Sequence, residues 1–228
     1  MSVDLDNTWW LAKRQMRDNW ASYPLSVVYF AFMGLVLSTD STWALEFALP
    51  ILMLILIQPS LSSRYMTWRK DNEVTRHQVF LRGLPVDFST IISARVIAML
   101  IAGLLNVPVF FLPFWFVRTE WSSFGHFLAW CVFWVGVAFV GAGLALIQEF
   151  WLPFNQWARV NTFIILGALV GLFLVMWVTG VRPVRSSVEI SNEHPWILCS
   201  VGLVLAVGGL WLGMKYAMAG FRSREFAV

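Results

Sequence analysis

The side chains able to do chemistry are few and scattered. The three histidines, His77, His126 and His194, fall in separate polar segments, and none has a Cys, His or Glu at metal-ligand spacing. Cys131 and Cys199 both lie inside apolar runs, where a thiol is a small buried side chain rather than part of a disulfide framework. There is no G-x-S-x-G turn and no glycine-rich phosphate loop. No pair of carboxylates lies within the apolar runs, as a proton-driven pump would need. These residues therefore point to no catalytic group, no metal ligand and no cofactor held by the chain itself. What remains are isolated charges at the edges of apolar runs. Glu46 and Glu149 sit at run ends, where water is expected to solvate them. Arg95 lies near the start of another run, where a long side chain can snorkel and avoid most of the about 2.5–3.5 kcal/mol cost of a central arginine. Glu149 and Arg95 are the expected structural or gating contacts.

The elements that must carry these groups follow from composition. Hydrophobic residues make up 59% of the 228, charged residues only 13%, and mean hydropathy is +0.70, too apolar to cover a soluble globule. The chain reads as an all-α membrane protein with a single transmembrane domain over residues 1–228. Each crossing needs about 20 apolar residues, so six spans and short connections use the whole length and leave no room for a nucleotide-binding domain. The spans are expected near 21–37, 43–62, 89–117, 124–148, 160–181 and 195–216. Asn106, Pro108 and Pro113 should tilt or break the third, and Gln58-Pro59-Ser60 should free a backbone carbonyl in the second. Gly136, Gly141, Gly143, Gly167-x-x-x-Gly171 and Gly209-x-x-x-Gly213 offer surfaces for close helix approach. Before the first span, residues 8–23 place Trp9, Ala12, Met16, Trp20 and Tyr23 at helical spacing beside Lys13, Arg14 and Arg17. That pattern suits an interfacial elbow helix in contact with membrane lipid.

The longest polar interruption is Arg64 to Phe88, RYMTWRKDNEVTRHQVFLRGLPVDF. On a helix from Glu73 to Leu84, the residues Val74, His77, Phe80, Leu81 and Leu84 share about a third of the circumference, and Pro85 ends the helix. Such a face either lies on the bilayer surface or docks a cytosolic partner. The run Glu73 to Ala98, EVTRHQVFLRGLPVDFSTIISARVIA, resembles the signature of permease subunits of type-2 ABC exporters. That signature is an acidic residue followed by an L-x-x-L-P-V-S-x-x-x-I pattern and a basic residue. Glu73, Leu81, Leu84, Pro85, Val86, Ile91 and Arg95 stand in the matching places, and Asp87-Phe88 departs from the more usual Ser-Arg. The resemblance implies a coupling helix that sits in a cleft of a separate ABC ATPase subunit, with ATP and Mg in that partner chain. It implies ATPase coupling by Glu73, Val74, His77, Phe80, Leu81, Leu84 and Pro85. It also implies pairing with a second permease copy or a homologous permease.

Orientation follows from the cations. With both termini cytoplasmic in a multi-pass cell-membrane protein, every Lys and Arg except Arg118, Arg182 and Arg185 flanks a cytosolic end. Residues 38–42, 118–125 and 182–194 are then external, and Gln148–Arg159 is a second cytosolic connection. This placement accounts for the net charge of +3 without a nucleic-acid partner. The expected function is the transmembrane subunit of an ATP-driven exporter for an amphipathic or hydrophobic substrate, lipid-like or peptide. The alternative is a non-transporting membrane scaffold or immunity subunit that recruits a partner.

Overall fold

The computed structural model describes residues 5–18, 22–39, 43–57, 86–151 and 154–223. Their regular structure is all helical: α1 (Leu5–Asp18), α2 (Ser22–Thr39), α3 (Trp43–Leu56), α4 (Phe88–Val117), α5 (Phe124–Trp151), α6 (Phe154–Thr179), α7 (Pro183–Glu193) and α8 (Pro195–Ser223). Three of these, α4, α5 and α8, are each long and apolar enough to cross a bilayer. The end of α6 and α7 pass the same test only as one span bent by 68°. Helices α2 and α3 are apolar but shorter. Among the described residues, then, three to four spans are evident where six were expected. The rest of the expected second span, with Gln58-Pro59-Ser60, lies outside them, as do the turn residues 40–42.

Helix course and boundaries differ from expectation in several places. Helix α4 runs unbroken through Pro108 and Pro113. Helix α6 begins at Phe154, so most of the expected Gln148–Arg159 connection is helix, and Pro153 falls outside the described residues. The stretch 182–194, expected as a plain connection, contains α7. Its origin is local. Gly180, at φ 68°, takes the left-handed conformation that favours glycine after a helix, and its N–H closes on Met176 O at 2.9 Å. Pro183 then opens α7 at a position where its missing N–H costs nothing. Val184, Ser187, Val188 and Ser191 recur at helical spacing and are buried.

The closest helix pairing is α5 on α8, and glycines make it possible. A Cβ at Gly136 would collide with the carbonyl of Gly202, and one at Gly143 with that of Gly209. A Cβ at Gly213 would collide in turn with the Gly143 backbone, so the Gly209-x-x-x-Gly213 spacing is used as expected. Gly141 meets the Leu54 backbone of α3 in the same way. By contrast, nothing lies within 4 Å of where a Cβ would stand at Gly167 or Gly171. Between α4 and α5, Phe110, Phe114 and Trp130 are fully buried, with Phe111 and Trp130 edge-to-face at 5.5 Å.

Helix α1 packs on α4 through Thr8, Leu11 and Ala12, all buried. Trp9 and Trp10 point away, with Lys13 Nζ 5.2 Å above the first ring and the Arg14 guanidinium 5.5 Å above the second. The described part of the helix is Leu5–Asp18, residues 19–21 of the expected elbow lie outside the described residues, and Tyr23 belongs to α2.

Candidate functional site

The chain re-enters the described region at Val86, and Asp87 in an extended conformation opens α4. Asp87 O accepts the N–H groups of Thr90 at 2.9 Å and Ile91 at 3.3 Å. This is where the expected coupling segment joins the bundle. Glu73, Val74, His77, Phe80, Leu81, Leu84 and Pro85 themselves lie outside the described residues.

Eight positions into that helix, roughly 12 Å along its axis, stands Arg95. Its side chain is only 4% exposed, and Nε donates to Glu149 Oε2 on α5 at 3.0 Å. The two residues singled out separately as gating or structural groups are thus one ion pair. Arg95 does not snorkel to water. Its cation stays among the helices because the Glu149 carboxylate, half-buried, compensates it there.

Further along α4, Asn106 is fully buried and donates Nδ2 to Leu56 O at 3.0 Å. Leu56 closes α3, and its carbonyl is one of those a helix end leaves without an intrahelical donor. Ser26 Oγ of α2 lies 3.2 Å from Asn106 Oδ1 and 2.9 Å from Tyr23 O, so its one proton serves these acceptors in turn. One amide therefore ties α2, α3 and α4 together inside the apolar region.

The opposite end of α4 gathers the three connections assigned above to the external side. Arg118 Nε donates to Ser38 O at 3.1 Å, and Nη1 to Glu120 at 3.0 Å. The Ser122 N–H donates to Asn192 Oδ1 at 3.0 Å, and Asn192 Nδ2 to Glu120 O at 2.8 Å. Glu46, at the start of α3, accepts the Val184 N–H at 2.6 Å and the Arg185 N–H at 3.1 Å. Its carboxylate caps the positive end of the α7 dipole and is buried, not solvated as its run-end position implied. Ser187 anchors the same helix: Oγ accepts Nε1–H from Trp130 at 2.9 Å and Trp134 at 3.2 Å, and donates to Val184 O at 2.6 Å.

Sequence reasoning missed Glu46, Asn106 and Ser187 as contact residues. The Thr179-Gly180-x-x-Pro183 stop-and-restart was the available signal for α7, and α7 is what buries Glu46 and Ser187.

The bundle thus joins an ion pair beside the α4 entry to a capped, folded-back helix at the other end, with no convergent nucleophile or base between them among the described residues. A family model described as ABC-2 family transporter protein matches residues 13–221. This chain belongs to the ABC-2 transporter family. No curated protein and no solved structure matches it significantly. The ABC-2 membership makes the chain a multi-pass transporter membrane subunit, a permease in a class that is generally non-catalytic and associates with ABC ATPase subunits.

Proposed function

We propose that this ABC-2 permease is the transmembrane half of an ATP-driven exporter, moving an amphipathic or hydrophobic molecule from the cytoplasmic side of the cell membrane. ATP and Mg reside in a separate ATPase. Two permeases, copies or homologues, enclose the pathway, and ATPase closure drives the Glu73–Leu84 helix against α4. The observation that supports this reading most directly is the family match across nearly the whole chain. Beside it stands the Arg95–Glu149 pair, about two turns from the point where that helix joins α4. A displacement of the segment passed on through Val86 and Asp87 would reach a charged link between α4 and α5.

Leu81→Asp tests the docking role. A carboxylate in the apolar face should remove the ATPase from the purified complex while permease abundance in the membrane holds, measured by co-purification and immunoblot. ATPase retained at wild-type amounts would show that this helix does not dock it.

A further inference from the structure

All three cations assigned to the external connections, Arg118, Arg182 and Arg185, line one cavity of about 440 Å³ at the Arg118 end of the bundle. Three carboxylates line it too: Glu46, Glu120 and Glu189. Formal charge therefore sums to zero, but it is not spread evenly. Glu46 faces inward and is taken up by the α7 amides, whereas the Glu120 and Glu189 side chains are 49% and 60% exposed at the rim. Arg118 is held by backbone carbonyls and Glu120, while Arg185 pairs through Nε with Glu189, one turn along α7.

A simple anion here would meet three carboxylates, and a simple cation three guanidinium groups. A zwitterion meets neither penalty, because each of its charges can lie beside the opposite one. The cavity also separates two kinds of zwitterion. The rim carboxylates and the Asn192 carbonyl oxygen offer acceptors that the N–H groups of a primary ammonium can use and a quaternary ammonium, which has no N–H, cannot. The cavity floor is apolar, formed by Leu45, Val184 and Val188, and lies where α4 ends. In a membrane-spanning bundle that is headgroup depth.

We propose that this cavity binds a phosphoethanolamine group, a phosphate ester carrying a primary ammonium, with the phosphate on Arg182 and Arg185 and the ammonium on Glu120 and Glu189. The source is either the head of a membrane phospholipid or a free phosphoethanolamine in solution. The proposal requires neither the coupling helix nor transport, so failure of the exporter reading leaves it standing.

The full chain, purified in detergent, would be offered phosphatidylethanolamine, phosphatidylcholine and phosphatidylglycerol of identical acyl chains, and retained lipid counted by native mass spectrometry. Phosphoethanolamine without acyl chains would be titrated in parallel by calorimetry. Preferential retention of phosphatidylethanolamine, by about tenfold over phosphatidylcholine, is expected for a lipid source. Saturable binding of the soluble compound without lipid preference identifies a free source. In either case Arg182→Gln with Arg185→Gln should remove the binding, and Glu189→Gln should weaken it. These exposed positions are chosen because Arg118 and Glu46 also hold the fold. Equal retention of the two zwitterionic lipids with no soluble binding, preference for phosphatidylglycerol, or variants that bind as wild type would each overturn the assignment.

Discussion

At the scale of single residues, Arg95 and Glu149 show how a charge survives inside an apolar bundle. Each is costly alone, and their pairing across α4 and α5 offsets desolvation only while both are present. Glu149→Leu should lower stability by about 3–5 kcal/mol, because Arg95 is left as an uncompensated buried charge, and Arg95→Met should cost less, because Glu149 is partly exposed and keeps a further contact. The double variant should recover to within about 1 kcal/mol of wild type. Thermal unfolding of the detergent-solubilised protein measures this, and the double variant then separates two roles. If the pair only holds the helices together, transport returns with stability; if the pair transmits coupling, the double variant folds but does not transport. Both residues were legible in the sequence as charges at run ends. Their contact was not, since nothing in the spacing of residues 54 apart says which helices will be neighbours. Glu46 shows the limit from the other side. Its run-end position suggested solvation, and only the fold of α7 back over it supplies two amides instead of water.

At the scale of elements, glycine spacing gave the same sequence signal in two places with two different outcomes. Gly143 and Gly209 meet at the α5–α8 crossing, whereas Gly167 and Gly171 of α6 face open space. Gly143→Leu should cost about 1–3 kcal/mol or more, because the clash begins at Cβ with backbone that no rotamer change can relieve. Gly167→Leu should leave the stability of the isolated chain within about 0.5 kcal/mol, as expected for a surface position. If α6 provides the contact to a second permease, that same substitution should break the dimer, read by cross-linking in membranes. Periodicity and length placed α4 and α5 to within a few residues, because their apolar runs end at polar connections that solvate better than they bury. The same signals misjudged α6 and α7. Residues 154–159 read as part of the second cytosolic connection rather than as the start of a helix, and the short amphipathic repeat of α7 fell between two long apolar runs that dominate any hydropathy window. The Glu73–Leu84 helix remains a reading of amphipathic spacing and family signature.

At the scale of the whole molecule, residues 38, 118–122 and 182–192 meet at one end of the bundle, so the connections assigned to one side do share a side. Which side that is follows from the cation asymmetry and is tested by labelling. Ser187 is buried against two indoles and unsuited to a probe, but Ser122 and Glu193 are exposed. Cysteines there, in a chain lacking Cys131 and Cys199, should react with an impermeant thiol reagent applied from outside; protection of both would invert the topology. Cargo is argued from the same molecule. The charged side chains buried among the described residues are Arg95, held by Glu149, and Glu46, held by backbone amides. Both charges are already compensated, and the buried polar groups Asn106 and Ser187 are taken up by hydrogen bonds within the bundle. The other buried residues described are mainly aromatic and aliphatic, so a free sugar or ion entering the bundle would lose much of its hydration without replacement. An amphiphile loses far less, because its apolar part enters the bundle from the membrane while its polar head stays near one end. With its ATPase in liposomes, the permease should therefore show ATP hydrolysis stimulated several-fold by amphipathic peptides or lipids. Stimulation by a hydrophilic solute, with no response to any amphiphile, would mean that pairing of two permeases opens a hydrated path that neither subunit has alone.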